Sequence, residues 1–299
     1  MTPIALRAGR RIAPILVAAS IALAGCTDAG PSVAPTPTRT PEPTPTRTVY
    51  QLGTVVWYEG LTIEIVSVTA TLDQRGGPVV VVLRLDNPTD ADSTLDAVPT
   101  LLVGTLRADP TRESTIPSVS ARGSAAATLT YELQGITSIG EAVLEIGAGP
   151  RHVARVPMTP FAGSVVDLEP VQFPLAGSAA AGTLKVTLRS GVLRWDLPDW
   201  SQELEAGLQA LTLTYDVAYT GDFAGGFAFT GDNVALKLPN GTVVSARRDG
   251  HSQSVELIGA KKTKKGLVSR FEIPAGLTGK FNLLVRNGSA QKAISFTID

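Results

Sequence analysis

Apolar residues recur at every second position through most of this 299-residue chain, and that spacing constrains the fold more than any other feature. Leu211, Leu213, Tyr215, Val217 and Tyr219 lie on one face of an extended strand and would scatter around a helix. The same period runs through Leu61-Thr62-Ile63-Glu64-Ile65, the β-branched run Val79 to Leu85, and Ala127, Leu129, Tyr131 and Leu133. Leu144 and Ile146 lead into a Gly-Ala-Gly-Pro turn, and Val153 to Met158 returns from it. A strict period of two means that each sheet buries one face and wets the other. Short strands joined by polar turns predict stacked antiparallel sheets rather than parallel α/β units.

The order of strands is then repeated. Leu184 to Leu193 occupies the place of the first strand, Leu211 to Tyr219 the next, and Leu267, Ser269, Phe271 and Ile273 the third. Phe281, Leu283 and Val285 run into Asn287-Gly288, a two-residue hairpin signal, and Ile294, Phe296 and Ile298 follow on one face. Asn240-Gly241 marks a further hairpin. The expectation is an all-β chain of two tandem sandwiches, 49–158 and 169–299, with a joint at 159–168. The halves differ mainly after their first strand, where the loop is short at Asp73 to Pro78 and long at Trp195 to Gly207. A single cysteine excludes an intrachain disulfide, so apolar cores must hold both halves.

The N-terminus is of another kind. Arg7, Arg10 and Arg11 precede an apolar run, Ile12 to Ala24, shorter than the roughly 20 residues that span a bilayer. Residues 1–25 therefore read as an export signal, and the sole cysteine, Cys26, follows directly. Residues 26–48 form a spacer in which Pro-Thr-Pro-Thr-Arg-Thr occurs at 35–40 and again at 43–48. Alternating prolines remove backbone donors and fix φ, which predicts an extended tether reaching on the order of 65 Å at about 3.1 Å per residue. Its threonines are candidate acceptors for O-linked sugars; a plain disordered tether is the simpler reading.

Leu23-Ala24-Gly25-Cys26 resembles the lipobox of bacterial lipoproteins at every position. With the Thr/Pro stalk, the opening YQLGTVVWYEGLTIEIVSV and the segment VVVVLRLDNPTD, the chain resembles surface lipoproteins of Gram-positive bacteria, particularly actinobacteria. These carry immunoglobulin-like domains, similar to telokin, of uncharacterised function. The resemblance covers 49–158 loosely and 168–299 more weakly. It implies two immunoglobulin-like domains, a diacylglyceryl group on the Cys26 sulfur, cleavage before that residue, and a place on the extracytoplasmic face of the cell membrane. An ordinary secretory signal is the alternative to lipidation. The resemblance brings no specific catalytic motif.

Few residues offer chemistry. His152 and His251 fall in predicted turns, outside any nucleophile-bearing motif and without a second ligand at metal-binding spacing. Asp86 to Asp92 is rich in oxygen ligands, yet it has no glycine at the bend and no closing glutamate, so an inter-strand turn is favoured over a calcium loop. Lys261, Lys262, Lys264 and Lys265 form a basic turn suited to anionic polymers or head groups, or a solvated loop. Trp195, Asp196, Asp199 and Trp200 share one loop; they suit a sugar ring or a protein anchor, against which stands packing of the indoles as lids. Phe223, Phe227 and Phe229 either extend that patch or fill the core.

Charge is sparse and nearly balanced, which argues against nucleic-acid binding. The expected function is a non-catalytic, lipid-anchored surface protein without cofactor or metal, for interaction or display. The alternative is a module for cell-wall carbohydrate or another ligand built on Trp195 and Trp200. The partners expected are the membrane through Cys26, and a wall polymer or another surface protein.

Overall fold

The structure, a computed structural model, describes residues 44–160, 163–247 and 255–299. Cys26, the lipobox residues Leu23, Ala24 and Gly25, most of the spacer and His251 lie outside the described residues.

The first half comprises β1 (Thr46–Tyr58), β2 (Leu61–Leu72), β3 (Gly76–Asp86), β4 (Thr100–Val103), β5 (Leu106–Ala108), β6 (Ser124–Gln134), β7 (Ala142–Ile146) and β8 (Ala154–Pro157). They form two antiparallel sheets, in the orders β1-β2-β3-β6 and β5-β4-β7-β8. Ile63, Ile65, Leu83, Leu129 and Tyr131 from one sheet meet Leu101, Leu144, Ile146 and Val156 from the other in a single core. Each buried aliphatic side chain there contributes on the order of 1.5–3 kcal/mol.

The second half comprises β9 (Val171–Pro174), β10 (Ser178–Ala181), β11 (Leu184–Arg194), β12 (Asp196–Leu197), β13 (Gln202–Glu203), β14 (Leu208–Tyr219), β15 (Phe227–Phe229), β16 (Val234–Lys237), β17 (Val243–Ser245), β18 (Glu256–Ile258), β19 (Thr263–Pro274), β20 (Gly279–Asn287) and β21 (Ala290–Ile298). Its main sheets run β10-β11-β14-β19, with β9 also on β11, and β17-β16-β20-β21. These orders repeat those of the first half position for position. Val186, Leu213, Tyr215, Phe271, Leu236 and Phe281 lie in a second, separate core. The chain is thus all-β and β-sandwich-like in both halves.

The likeness extends to an irregularity. The β2–β3 register slips between Ile65 and Ser67, and the β11–β14 register between Leu188 and Ser190. The extra residue, Val66 or Arg189, is the sixth of its strand in both halves, counting from Leu61 and Leu184. A one-residue bulge resets the period of two, so Leu61, Ile63 and Ile65 share a buried face with Val68, Ala70 and Leu72.

Two boundaries differ from expectation. β1 begins at Thr46, not Val49, because β2 is long enough to pair Thr46, Arg47 and Thr48 with Leu72, Thr71 and Ala70. The segment expected as a joint belongs largely to the first half: Trp57 N donates to Asp167 O, Arg155 and Val166 exchange backbone bonds, and Leu168 packs on the first core.

Candidate functional site

The described residues with the densest polar chemistry lie where the halves meet. β1 and β2 are joined by Glu59-Gly60, both at positive φ (50° and 85°), as a two-residue turn that follows sheet twist requires. This turn points into the loop between β11 and β14. Gly60 N donates to Asp196 Oδ2 at 2.7 Å, and Glu59 N to Glu203 Oε2 at 3.3 Å. The Glu59 carboxylate turns back and accepts from Asp96 N and Ala97 N at 2.9 and 3.2 Å. Arg194 grips Asp196 with Nε and Nη2 at 2.7 and 3.1 Å, and Arg151 Nη1 lies 3.5 Å from Glu59 Oε1.

A second strip of contacts runs beside the first. Ala206 N donates to Pro150 O at 2.6 Å and His152 N to Leu204 O at 3.3 Å. The His152 ring donates from Nε2 to Leu208 O at 2.7 Å, since a carbonyl can only accept. Its edge meets Trp195, with centroids 4.8 Å apart. Ser93 and Ser201 hydroxyls pair at 2.8 Å. Leu197, Leu204 and Ala210 form a small core of their own with Trp200 and Leu208 against it.

Three carboxyl groups are thereby buried together: Glu59 and Glu203 at 1% exposure and Asp196 at 3%. Asp196 has its ion pair. Glu203 does not: Oε1 is buried without a hydrogen-bond partner. Burial, then the negative charge of Asp196, pushes the Glu203 carboxyl up to about 9, against the lowering effect of the Glu59 amide. Burial raises Glu59 as well. Tyr58, whose hydroxyl donates to His152 O at 3.0 Å, is raised by burial and by the same two glutamates. Carboxyls raised in this way suit acid catalysis where a substrate can reach them. Here their oxygens face backbone amides and packed side chains, and the arrangement fastens one half to the other.

The sequence-predicted residues fall as follows. Asp196 is a buried joint residue. Trp195 is half-buried against His152. Trp200 is half-buried with the guanidinium carbons of Arg270 and Arg247 at 5.1 and 5.7 Å from its ring centroid. Asp199 accepts from Arg270 Nη2 at 2.9 Å. Trp195 thus meets the first half edge-on at His152, and Trp200 packs within the second half under two guanidinium groups. His152, expected as a solvated turn residue, is instead half-buried, because the second half covers part of the β7–β8 turn. In the Asp86–Asp92 segment Asn87 Nδ2 donates to Ala91 O and Val119 O, Asp90 pairs with Arg122, and Asp92 accepts from Ala121 N; these are the bonds of a turn. Among the described residues no group of three or more His, Cys, Asp or Glu could hold a metal. Phe229 is core, Phe227 stacks on Tyr219 at 5.7 Å, and Phe223 is 69% exposed.

Two open cavities flank the joint. One of about 290 Å³ is lined by Tyr58, Val98, Arg107, Pro150 and Arg151. The other, about 390 Å³, lies between Pro88–Ala91 and Arg122 on one side and Arg194, Pro198 and Asp199 on the other. Arg107 bonds Glu145 and Arg151 bonds Glu59, so the cations of the first cavity are already engaged. Sequence reasoning missed Glu59, Gly60 and Glu203; the pair Glu59-Gly60 between two alternating runs was the available signal.

No family model matches the chain, and no curated protein matches it. Among solved structures it is similar to the conserved domain protein from Bacillus anthracis, at 9% identity and a TM-score of 0.26, over 84% of this chain and 90% of that one. No helix of the described residues is long and apolar enough to cross a membrane.

Proposed function

We propose that the chain is a non-catalytic lipoprotein of the extracytoplasmic membrane face, tethered through Cys26 and presenting two immunoglobulin-like sandwiches as one joined body for interaction or display. The observation that carries this reading is the use of the loop 195–207. Trp195 and Asp196, two of the residues best suited to a ligand, are engaged at the joint, and Trp200 packs against Arg270 and Arg247; these contacts favour presentation of a rigid body over carbohydrate capture. The repeated strand order and the matching bulges support a tandem duplication. LAGC at 23–26, the Pro/Thr stalk and the resemblance to actinobacterial surface lipoproteins support the anchor.

The anchor is tested in cells that make the full chain. Cys26→Ala should move the protein from the detergent phase to the aqueous phase and leave the signal uncut or miscut. Mass spectrometry of the wild-type N-terminus should find a diacylglyceryl-modified Cys26. An unmodified mature chain starting elsewhere would refute the anchor and leave a secreted protein.

A further inference from the structure

One end of the second half combines exposed apolar and basic side chains, and the joint makes no use of it. Phe223, Val255 and Leu257 are each 69% exposed. They share this end with Lys261, Lys262, Lys264 and Lys265, all exposed. Backbone pairing fixes the cluster: Ala228 faces Leu257 across β15–β18, Gly226 N donates to Phe223 O, and a Cβ on Gly226 would lie 2.4 Å from Ile258 O. Lys261 Nζ sits 2.7 Å from Asp222 and Lys264 Nζ 3.1 Å from Glu256. Tyr219 N donates to Lys262 O at the end of β14, whereas Leu208, at the start of that strand, lies in the joint. The patch is therefore at the opposite pole of the second half.

We infer that this pole docks on an anionic lipid bilayer, with Phe223 and Leu257 entering the interface and the lysines meeting head groups. Three observations select that partner. Four lysines and Arg189 stand against Asp222, Glu256 and Asp216, which leaves a positive surface matched to acidic lipid. The cations of the turn itself are lysines, a residue depleted in protein–protein interfaces. The exposed aromatic and aliphatic side chains gain nothing from a soluble polyanion but gain burial at a bilayer surface. The contact is independent of Cys26 and would give the protein a second point of attachment.

The test uses the unlipidated chain from residue 27, because residues 44–299 enclose both cores without the N-terminal segment. Sedimentation with phosphatidylcholine vesicles is compared with vesicles containing phosphatidylglycerol as well. Binding is expected only to the acidic vesicles, weakening with salt. Lys262→Glu with Lys265→Glu should reduce partitioning at least about tenfold, and Phe223→Ser with Leu257→Ser by a similar factor. A Phe223→Trp variant, with the native tryptophans as background, should blue-shift on acidic vesicles. All variants change exposed residues, so their melting temperatures should match the parent. No binding, equal binding to neutral vesicles, or dependence on the lysines alone with equal binding to soluble polyphosphate would each overturn the bilayer assignment.

Discussion

Gly60→Ala is expected to part the two halves while leaving each folded. A Cβ at this position would stand 2.6 Å from Pro198 Cα and 3.0 Å from Pro198 O, both backbone atoms that no rotamer change can move. Gly60 also sits at φ 85°, where an L-residue with a side chain costs about 1 kcal/mol. Its amide must keep its bond to Asp196 throughout. The φ penalty falls on the turn in either arrangement, so the cost to docking comes from the Pro198 clash, on the order of 2–3 kcal/mol, or roughly thirty- to hundredfold in the ratio of docked to undocked molecules. Neither core contains residue 60, so β3 and β14 should keep slow amide exchange, while the amides of His152 and Ala206, which bond across the joint, exchange faster. Small-angle scattering should show a larger radius of gyration. An unchanged scattering curve would mean that the hairpin tilts freely and that the joint is soft.

Glu203→Gln is expected to stabilise the protein, and to do so more as pH rises. The folded-state value, about 9, lies above the ordinary carboxylate value. The folded chain therefore holds this proton after the unfolded chain has released it. Stability from this group is complete below about pH 4.5 and declines across the window up to about 9, by as much as ~1.4 kcal/mol per pH unit. Glutamine is a neutral copy that still accepts from Glu59 N, so it removes that loss. At pH 8 the variant should melt several degrees higher, at roughly 2–4 °C per kcal/mol for a body of this size. Near pH 4 the two melting curves should coincide. Equal gains at both pH values would show that the carboxyl is already ionised and relaxed toward water. Glu203→Ala serves as the control: it leaves Glu59 N unpaired, so it should destabilise near pH 4 and stay below Glu203→Gln at every pH.

The strands were legible because their signal is local. Leu211 to Tyr219 declares a buried face within nine residues, and neighbouring strands do the same. The bulge at Val66 was legible in principle, since the apolar phase changes from Ile65 to Val68. The joint was not. Glu203 looks like a solvent residue in a polar stretch, and its burial comes from Glu59, 144 positions earlier. Gly60 and Asp196 are 136 apart. Trp195 and Trp200 announced an unusual loop. Whether that loop meets a ligand, its own core or the other half depends on which ends of the halves touch, and periodicity carries no information about that. Phe223 was grouped with the tryptophans by residue type, yet it lies at the opposite pole.

The joint also has a direction. β2 begins at Leu61 beside the contact, whereas its counterpart β11 ends at Arg194 beside it. Each half therefore offers a different end, and the relation between them is a step along one axis rather than a twofold exchange. Contacts of this kind are heterologous: a series of them extends or closes into a ring according to the rotation at each step. The end where β11 begins occupies the place by which the first half holds the second. Lys261, Lys262, Lys264, Lys265 and the bare Phe223 stand there, a surface unlike the Glu59-Gly60 turn that the first half presents from its matching end. The two halves thus share a strand order and differ in what the matching end is built to meet.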